Sequence, residues 1–211
     1  MIVSLDYADL KIHATSDIEQ RVRAFSAAKE PETVKWIESL PVGSKLWDVG
    51  ANIGAYSLIA ASRGLEVDAF EPVMASYERL VENIALNGLD VDPYPVALTD
   101  HSGVAMMNLS SEEPGSASHS FGKGDTQVRC IRGDDMSALH PDHMKIDVDG
   151  AEVPVLRGCE KILTFVESVL IEVDNWSSVM VTAMLKNAGL RQDSRHYHER
   201  SGVTNVIYRR S

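Results

Sequence analysis

The sequence predicts an α/β fold in which a mostly parallel sheet carries helices on both faces and ends in a C-terminal antiparallel hairpin. Three observations support this prediction. From residue 45 onward, short apolar runs alternate with segments of helical periodicity. A glycine-containing turn, residues 48–54, joins the first predicted strand to the first helix. The last two predicted strands flank a turn at Ser201 and Gly202, which is typical of a hairpin.

Composition limits the classes of function that the chain can have. Its 211 residues suit one globular domain, which we expect to span residues 1–211, and its formal net charge is −11. Binding to a phosphate backbone requires a basic surface, so we expect no nucleic acid partner. There is no membrane-length apolar run and no recognisable signal peptide, so we expect no membrane partner and a cytoplasmic location.

Cys130 and Cys159 are expected to be buried, reduced thiols. The oligomeric state stays open and includes a homo-oligomer.

Residues 1–43 are predicted to form a helical segment in front of an α/β core over residues 44–211. Ser16 and Glu19 form a capping box, and apolar residues recur at helical spacing, which predicts a helix over residues 16–28. Pro31 begins a second predicted helix that ends near residue 41. We expect this segment, together with the loop described below, to determine substrate specificity.

The core elements follow in order along the chain. Helices are predicted over residues 54–63, 73–87, 152–163 and 178–187. Strands are predicted over residues 46–49, 66–70, 91–97, 103–109, 126–132, 144–148, 168–173, 191–198 and 203–209, the fourth and fifth of them paired. Residues 110–125 are rich in Ser, Gly and Glu and are interpreted either as a solvated loop or as a lid over the substrate. In such sheets, ligands bind beyond the carboxyl ends of the strands.

The strongest chemical signal is the glycine-containing turn. Gly50 and Gly54 allow the main chain to turn tightly, and Glu71 ends the next strand, where its carboxylate can accept hydrogen bonds from ribose hydroxyls. A dinucleotide site requires G-x-G-x-x-G, but Asn52 stands in place of the second glycine. Asp48 would repel a pyrophosphate and suits a ligand that carries an ammonium group. The pattern therefore favours S-adenosylmethionine, with a nicotinamide dinucleotide as the alternative.

Four segments together resemble the FkbM family of methyltransferases, over residues 46–173. They are LWDVGANIGAYSLIA, VDAFEPVMASYERLVENIALNG, PVALTD and the most family-specific one, MKIDVDGAEVPVLRGCEKIL. Asp149 stands where the family more often has Glu. The resemblance implies a Rossmann-like methyltransferase fold and methyl transfer to a hydroxyl oxygen, often on a sugar, polyketide or other secondary metabolite. It also implies cofactor binding by Asp48, Gly50, Ala51, Asn52, Gly54, Glu71, Pro72, Ala97 and Leu98.

Candidates for the reacting end of the site lie on two predicted strands. Lys145, Asp147 and Asp149 alternate along one of them and so share a side-chain direction. Charges in a central parallel strand are costly unless they are paired or placed at the strand end. Two interpretations are consistent with this cost. The charges form a structural Lys–Asp pair, or Asp147 or Asp149 faces the methyl-transfer site at the strand end. Glu172 ends the neighbouring strand and is expected beside Asp147, so all four residues are catalytic candidates.

Oxygen ligands at the same edge suggest a divalent metal. Asp147 with Glu172, Asp174 and Asn175 could hold Mg²⁺ or Ca²⁺, which would acidify a bound hydroxyl. Histidines are weaker candidates. Those at 140, 143, 196 and 198 are interpreted as solvated residues, and His119 could act as a base if its loop closes.

The sequence therefore predicts an S-adenosylmethionine-dependent methyltransferase that acts on a hydroxyl of a small molecule. A nucleic-acid or protein methyltransferase is a second hypothesis, although the Asp/Asn-Pro-Pro-aromatic signature of amino methylation is absent after the strand over residues 144–148. A non-catalytic cofactor-binding or scaffolding protein is a third hypothesis, and a dehydrogenase is a fourth.

Overall fold

The computed structural model describes residues 1–111, 113–116, 120–121, 124–198 and 202–210. Its strands are β1 Ile2–Ser4, β2 Lys11–His13, β3 Lys45–Val49, β4 Glu66–Phe70, β5 Val91–Tyr94, β6 Ala97–Thr99, β7 Gly103–Asn108, β8 Ser120–Phe121, β9 Thr126–Arg132, β10 His143–Ile146, β11 Ser168–Val173, β12 Leu190–His198 and β13 Val203–Arg210. Its helices are α1 Asp17–Arg21, α2 Ser26–Lys29, α3 Pro31–Glu38, α4 Ala55–Ser62, α5 Met74–Asn87, α6 Glu152–Gly158 and α7 Ser178–Asn187, with 3₁₀ turns at Arg23–Phe25, Gly133–Leu139 and Ile162–Thr164.

A seven-stranded sheet forms the centre of the molecule, in the order β12-β13-β11-β10-β3-β4-β5. The pairs from β11 to β5 are parallel, whereas β13 runs antiparallel to both β11 and β12. Successive residues of β3 enter different apolar clusters, Leu46 with α3 to α5 and Trp47 with α6 and α7. The predicted α/β fold, with helices on both faces and a C-terminal hairpin, is confirmed.

A second sheet has the order β6-β9-β7-β8, and the predicted pairing of its strands β7 and β9 is confirmed. The prediction of one strand over residues 91–97 is wrong. Pro95 has no N–H to donate to a sheet, and the chain leaves the central sheet after Tyr94. It then pairs as β6 with β9, in parallel, with Ala97 opposite Cys130.

The helical segment predicted over residues 1–43 also contains strands that the sequence did not indicate. β1 and β2 form an antiparallel pair. The outer edge of β2 is hydrogen-bonded by two α5 side chains one helical turn apart, since Lys11 N–H donates to Asn87 Oδ1 at 2.9 Å and His13 N–H to Asn83 Oδ1 at 2.7 Å. These partners are distant in sequence, so local periodicity carried no sign of the strand.

The helix predicted over residues 16–28 divides into α1, a 3₁₀ turn and α2. The capping box at its start is present. The Asp6 carboxylate accepts the N–H groups of Ala27 at 2.9 Å and Ala28 at 2.7 Å. This remote side chain therefore caps α2 as a new helix.

The helix predicted over residues 152–163 ends early, at Gly158. The Asp134 carboxylate accepts the N–H groups of Lys161 at 3.1 Å and Ile162 at 3.2 Å, and so caps a separate 3₁₀ turn. A Cβ on Gly158 would lie 1.8 Å from Thr99 O, so close packing against β6 requires glycine there.

Two simpler expectations can be compared with the structure. Cys130 and Cys159 are buried and form no disulfide, as predicted. Among the residues that the structure describes, no helix has both the length and the apolar character needed to cross a membrane.

Candidate active site

A cavity of ≈ 230 Å³ opens at the carboxyl ends of β3 and β10. The order of the central sheet reverses between these two strands, since β4 and β5 lie on one side and β11 on the other. Ligands of open α/β sheets bind at such a reversal. The predicted site residues that line the cavity are Gly50, Asn52, Glu71, Pro72, Ala97, Leu98, Asp147, Asp149 and Glu172.

Main-chain contacts build the glycine-containing turn after β3. The N–H groups of Gly50 and Ala51 both donate to Phe70 O at 3.0 Å, which ties the turn to β4. Gly50 has φ +83°, and a Cβ there would lie 1.8 Å from Asp147 O, so only glycine lets the end of β10 approach. Gly54 has φ +89°, and a Cβ there would lie 2.4 Å from Leu80 Cδ1, a side-chain atom. Ala51 and Gly54 are predicted cofactor contacts, but neither lines the cavity.

Glu71 lies at the end of β4, where sequence reasoning placed the ribose-binding carboxylate. Its two oxygens accept the N–H groups of Val73 at 2.8 Å and Asn52 at 2.9 Å. Burial raises the pKa of Glu71 to about 7, although these N–H groups favour the ionised form. The carboxylate keeps further lone pairs that can accept hydroxyl donors from a ligand.

One wall beside Glu71 is apolar. It is formed by β4, β6, β7 and the chain next to them, and consists of Phe70, Pro72, Val73, Val96, Ala97, Leu98 and Met107. A planar heteroaromatic ring such as adenine suits a wall of this kind. Together with the Glu71 carboxylate, which has lone pairs available for a diol, the wall fits the adenosine half of S-adenosylmethionine.

Asp48 does not reach the cavity, which corrects its predicted contact with a ligand ammonium group. It is fully buried, with Oδ1 at 3.2 Å from Lys145 Nζ and Oδ2 accepting the Ser57 hydroxyl at 2.6 Å. Lys145 is also buried, and its Nζ lies 3.5 Å from Asp147 Oδ2 and 5.0 Å from the centroid of the Tyr56 ring. Burial alone would lower the pKa of Lys145, but the two carboxylates raise it above its ordinary value.

The structure therefore shows the structural Lys–Asp pair, with Lys145 outside the cavity lining. The other interpretation, that Asp147 or Asp149 faces the methyl-transfer site, stays a prediction, since both carboxylates line the cavity. Through this pair, Lys145 holds the Asp147 carboxylate at the cavity surface. The predicted alternation stops short of Asp149, because β10 ends at Ile146 and Asp149 has φ +47°. Asp149 nevertheless lines the cavity from the turn that follows.

Glu172 is half-buried near the end of β11. Burial and the nearby carboxylates of Asp147 and Glu30 raise its pKa to about 8. It also lines a neighbouring groove of ≈ 270 Å³, which shares Asp149, Glu172 and Val203 with the cavity. The groove is further lined by Gly150, Glu152, Val173 and Asp174. Glu172 thus stands where the cavity and the adjoining groove meet.

The divalent-metal hypothesis finds no support. In the part of the chain that the structure describes, no group of three or more His, Cys, Asp or Glu side chains is arranged to hold a metal ion. Asp174 is engaged elsewhere, because its Oδ1 accepts the N–H groups of Trp176 at 2.8 Å and Ser177 at 2.6 Å. Asp147 already faces the Lys145 ammonium group. Asn175 lies in the exposed turn after β11 and lines neither the cavity nor the groove.

The described histidines lie away from the cavity. His143 begins β10 at the opposite sheet edge, where it is buried and its Nδ1 lies 2.9 Å from Ser168 Oγ, so its interpretation as a solvated residue is wrong. His198 pairs with Glu32 at 2.6 Å. The His140 ring lies 5.4 Å from the Phe165 ring, centroid to centroid, in a tilted arrangement, and His196 lies in β12. His119 lies outside the described residues, as does part of the predicted loop over residues 110–125.

Several residues that line the cavity carried no sequence signal of their own. Arg23 and Lys29 come from the N-terminal segment, Ser116 from the chain after β7, and Val203 from β13. Only the general expectation that the N-terminal segment and the 110–125 segment contact ligands pointed towards the first three. No motif or spacing identifies them, because tertiary packing alone brings them to this edge.

With this geometry in place, comparison with known proteins decides the family. A family model described as the methyltransferase FkbM domain matches residues 48–191, more than half of the chain. The chain belongs to the FkbM methyltransferase family. Membership implies S-adenosylmethionine as the cofactor, and the Glu71 carboxylate with its apolar wall fits that molecule.

Among curated proteins, this FkbM-family chain is similar to the hexuronic acid methyltransferase AglP of Haloferax volcanii, at 31% identity over 132 residues. The matched region covers 61% of this chain and 55% of AglP. This chain thus corresponds to little more than half the length of that relative.

Among solved structures, the chain is similar to an FkbM methyltransferase from Methylobacillus flagellatus KT. The TM-score is 0.58 at 14% identity, over 81% of this chain and 45% of the other. It is also similar to the magnesium protoporphyrin IX methyltransferase ChlM from Synechocystis PCC 6803, solved with bound SAM. There the TM-score is 0.60 at 10% identity, over 94% and 86% of the two chains. These neighbours confirm the Rossmann-like methyltransferase fold.

Proposed function

We propose that this chain transfers a methyl group from S-adenosylmethionine to a hydroxyl oxygen of a small molecule, such as a sugar. The observation that carries the proposal is the position of Glu172, at the junction of the cofactor cavity and the groove, with a pKa raised to about 8. When bound, the cofactor supplies a methyl group made electrophilic by its sulfonium. The chain itself must then orient the acceptor and receive its proton.

Glu172 is suited to receive that proton. A general base works best when its pKa lies near the working pH, and a positioned base contributes about 10²–10⁴-fold to a rate. The carboxyl of Glu172 meets this condition because burial and Asp147 disfavour its ionised form. The Lys145 ammonium group, 3.5 Å from Asp147 Oδ2, stabilises the acidic pair at the cavity surface.

The groove provides the acceptor side of the site. Its polar side chains are carboxylates, which accept hydrogen bonds from hydroxyl groups. Trp176, only two residues beyond the groove-lining Asp174, is 92% exposed and offers an apolar face to a sugar ring. The similarity to a protein named as a hexuronic acid methyltransferase supports a sugar-derived acceptor.

The test is methyl transfer from isotopically labelled cofactor to a panel of hexoses, hexuronic acids and hydroxylated aromatic compounds. We expect Glu172→Gln to lower kcat on any accepted compound by about 10²–10⁴-fold, because it removes the base. The rate of the unaltered chain should rise with pH through about 8, where Glu172 loses its proton.

The matched control is Glu167→Gln, an exposed carboxylate just before β11 at the opposite sheet edge, which should leave the rate unchanged. A Glu172→Gln variant with full activity would remove Glu172 from the mechanism. A chain that binds the cofactor but methylates no member of the panel would favour a non-catalytic cofactor-binding protein.

A further inference from the structure

Two segments that no motif identifies meet beside the glycine-containing turn. Arg23 lies in the 3₁₀ turn after α1, and its Nε donates to Gly115 O at 2.8 Å. In the same stretch, Ser116 O accepts Asn52 Nδ2 at 2.6 Å. Arg23 and Ser116 both line the cavity. The N-terminal segment and residues 113–116 are therefore held against the turn that follows β3.

Both residues have donors that the chain does not use. Ser116 is 2% exposed, and its Oγ is buried without a hydrogen-bond partner among the described residues. Arg23 uses Nε to donate to Gly115 O. Its two terminal nitrogens make no hydrogen bond within the part of the chain that the structure describes. A buried polar group without a partner is unfavourable, so such a group at a cavity wall indicates a ligand atom. The guanidinium fork matches the two oxygens of a carboxylate.

The position of these donors indicates which ligand supplies the oxygens. Asn52, which holds Ser116, also donates its N–H to Glu71, and the nearby Arg23 charge offsets part of the rise that burial causes in the pKa of Glu71. The site therefore adjoins the ribose-binding carboxylate. S-adenosylmethionine carries its own α-carboxylate on a short chain attached to that ribose.

The other positively charged side chains near the cavity are already paired and are not available to bind a carboxylate. Lys29 also lines it, but its Nζ already pairs with Glu30 at 2.8 Å. Lys145 lies outside the lining and is held by Asp48 and Asp147. Towards the groove the lining is acidic, with Asp149 and Glu172, which would repel a carboxylate.

We propose that Arg23 and Ser116 bind the α-carboxylate of the cofactor, an assignment that rests on the proposed function. The local backbone brings the two donors together. Gly115 has φ +85°, and a Cβ there would lie 3.1 Å from Glu19 Cγ and 3.4 Å from Arg23 Cγ. Glycine therefore lets residues 113–116 approach the N-terminal segment closely enough to place both donors at one point.

The test compares two nucleosides by calorimetry. S-adenosylhomocysteine has the α-carboxylate, whereas 5′-methylthioadenosine keeps the adenosine and sulfur but lacks the amino-acid part. Arg23→Gln should weaken S-adenosylhomocysteine binding by about 10–100-fold, and Ser116→Ala by about 3–10-fold. At pH 9, where Glu71 is ionised with or without the Arg23 charge, neither change should alter 5′-methylthioadenosine binding by more than about 2-fold, because the adenosine contacts are untouched. The matched control, Arg21→Gln, changes an exposed arginine outside the cavity and should alter neither.

Each different outcome overturns the assignment. Equal weakening of both nucleosides would mean that Arg23 only holds the cavity in shape. Unchanged S-adenosylhomocysteine binding, with loss of binding to glucuronate, would place the carboxylate of an acidic acceptor at this site instead. If the unaltered chain bound neither nucleoside, the proposed function would fail together with the assignment. Retained binding of 5′-methylthioadenosine by a variant also shows that its cavity is folded.

Discussion

At the scale of single residues, Glu71 shows how its surroundings set the chemistry of a carboxylate. It is 5% exposed and accepts two main-chain N–H groups, yet burial still raises its pKa to about 7. Near neutral pH this carboxyl is thus divided between its two protonation states. Only the ionised state can accept hydrogen bonds from both ribose hydroxyls while it keeps its N–H partners.

Cofactor affinity should therefore depend on pH. As pH rises through about 7, Glu71 loses its proton and S-adenosylhomocysteine binding should tighten, then level off. At one pH unit below that pKa, the affinity should be about tenfold weaker than at the plateau. Calorimetry at pH 6, 7 and 8 measures this. Glu71→Gln should bind weakly at every pH, and a flat profile for the unaltered chain would contradict the role of Glu71.

Residue roles were only partly predictable from sequence. The position of Glu71 followed from strand spacing, because the carboxyl ends of neighbouring parallel strands meet at one edge. The burial of Asp48 beneath Lys145 did not follow, since that pair joins β3 to β10 and depends on strand order. Arg23 and Ser116 were beyond prediction for the same reason.

At the scale of elements, the N-terminal segment is attached to α5 by a buried ion pair between Glu19 and Arg79. Glu19 is fully buried, and its Oε2 also accepts the N–H groups of Thr15 at 2.7 Å and Ser16 at 2.9 Å. A buried pair is costly to break on one side, because the other charge remains without compensation. This contact positions the segment that brings Arg23 to the cavity.

Glu19→Gln should destabilise the chain by about 3–5 kcal/mol, because it leaves the Arg79 charge without its buried partner. Urea unfolding followed by circular dichroism measures the loss. Glu82→Gln is the matched control, since Glu82 is the exposed partner of the same arginine and should contribute about 1 kcal/mol or less. Equal losses of unfolding free energy in the two variants would show that the buried pair stabilises the chain no more than the exposed pair does.

The sequence predicted which core helices and strands exist better than it predicted where they end. The core strands and helices follow the apolar periodicity, but the breaks near residues 22–26 and 158–162 depend on carboxylates elsewhere in the chain. Asp6 and Asp134 cap new helical turns from a distance, and no local pattern shows that they do. The β1–β2 pair escaped prediction because α5 side chains supply its edge partners.

At the scale of the whole molecule, topology determines where chemistry can occur. The reversal of strand order between β3 and β10 brings the glycine-containing turn, Glu71, Asp147 and Glu172 to one sheet edge. Alternating strands and helices predicted this arrangement from the sequence. The second sheet and the N-terminal segment complete the walls, supplying Ala97 and Arg23. The central claim is that this composite cavity binds S-adenosylmethionine.

Calorimetric titration of S-adenosylhomocysteine and NAD into the purified chain tests that claim most directly. We expect a dissociation constant of about 1–100 μM for S-adenosylhomocysteine and no measurable binding of NAD. Glu71→Ala should weaken the nucleoside by about 10–100-fold, whereas Glu66→Ala, at the exposed start of the same strand, should not. Tighter binding of NAD, or no binding of S-adenosylhomocysteine, would contradict the account.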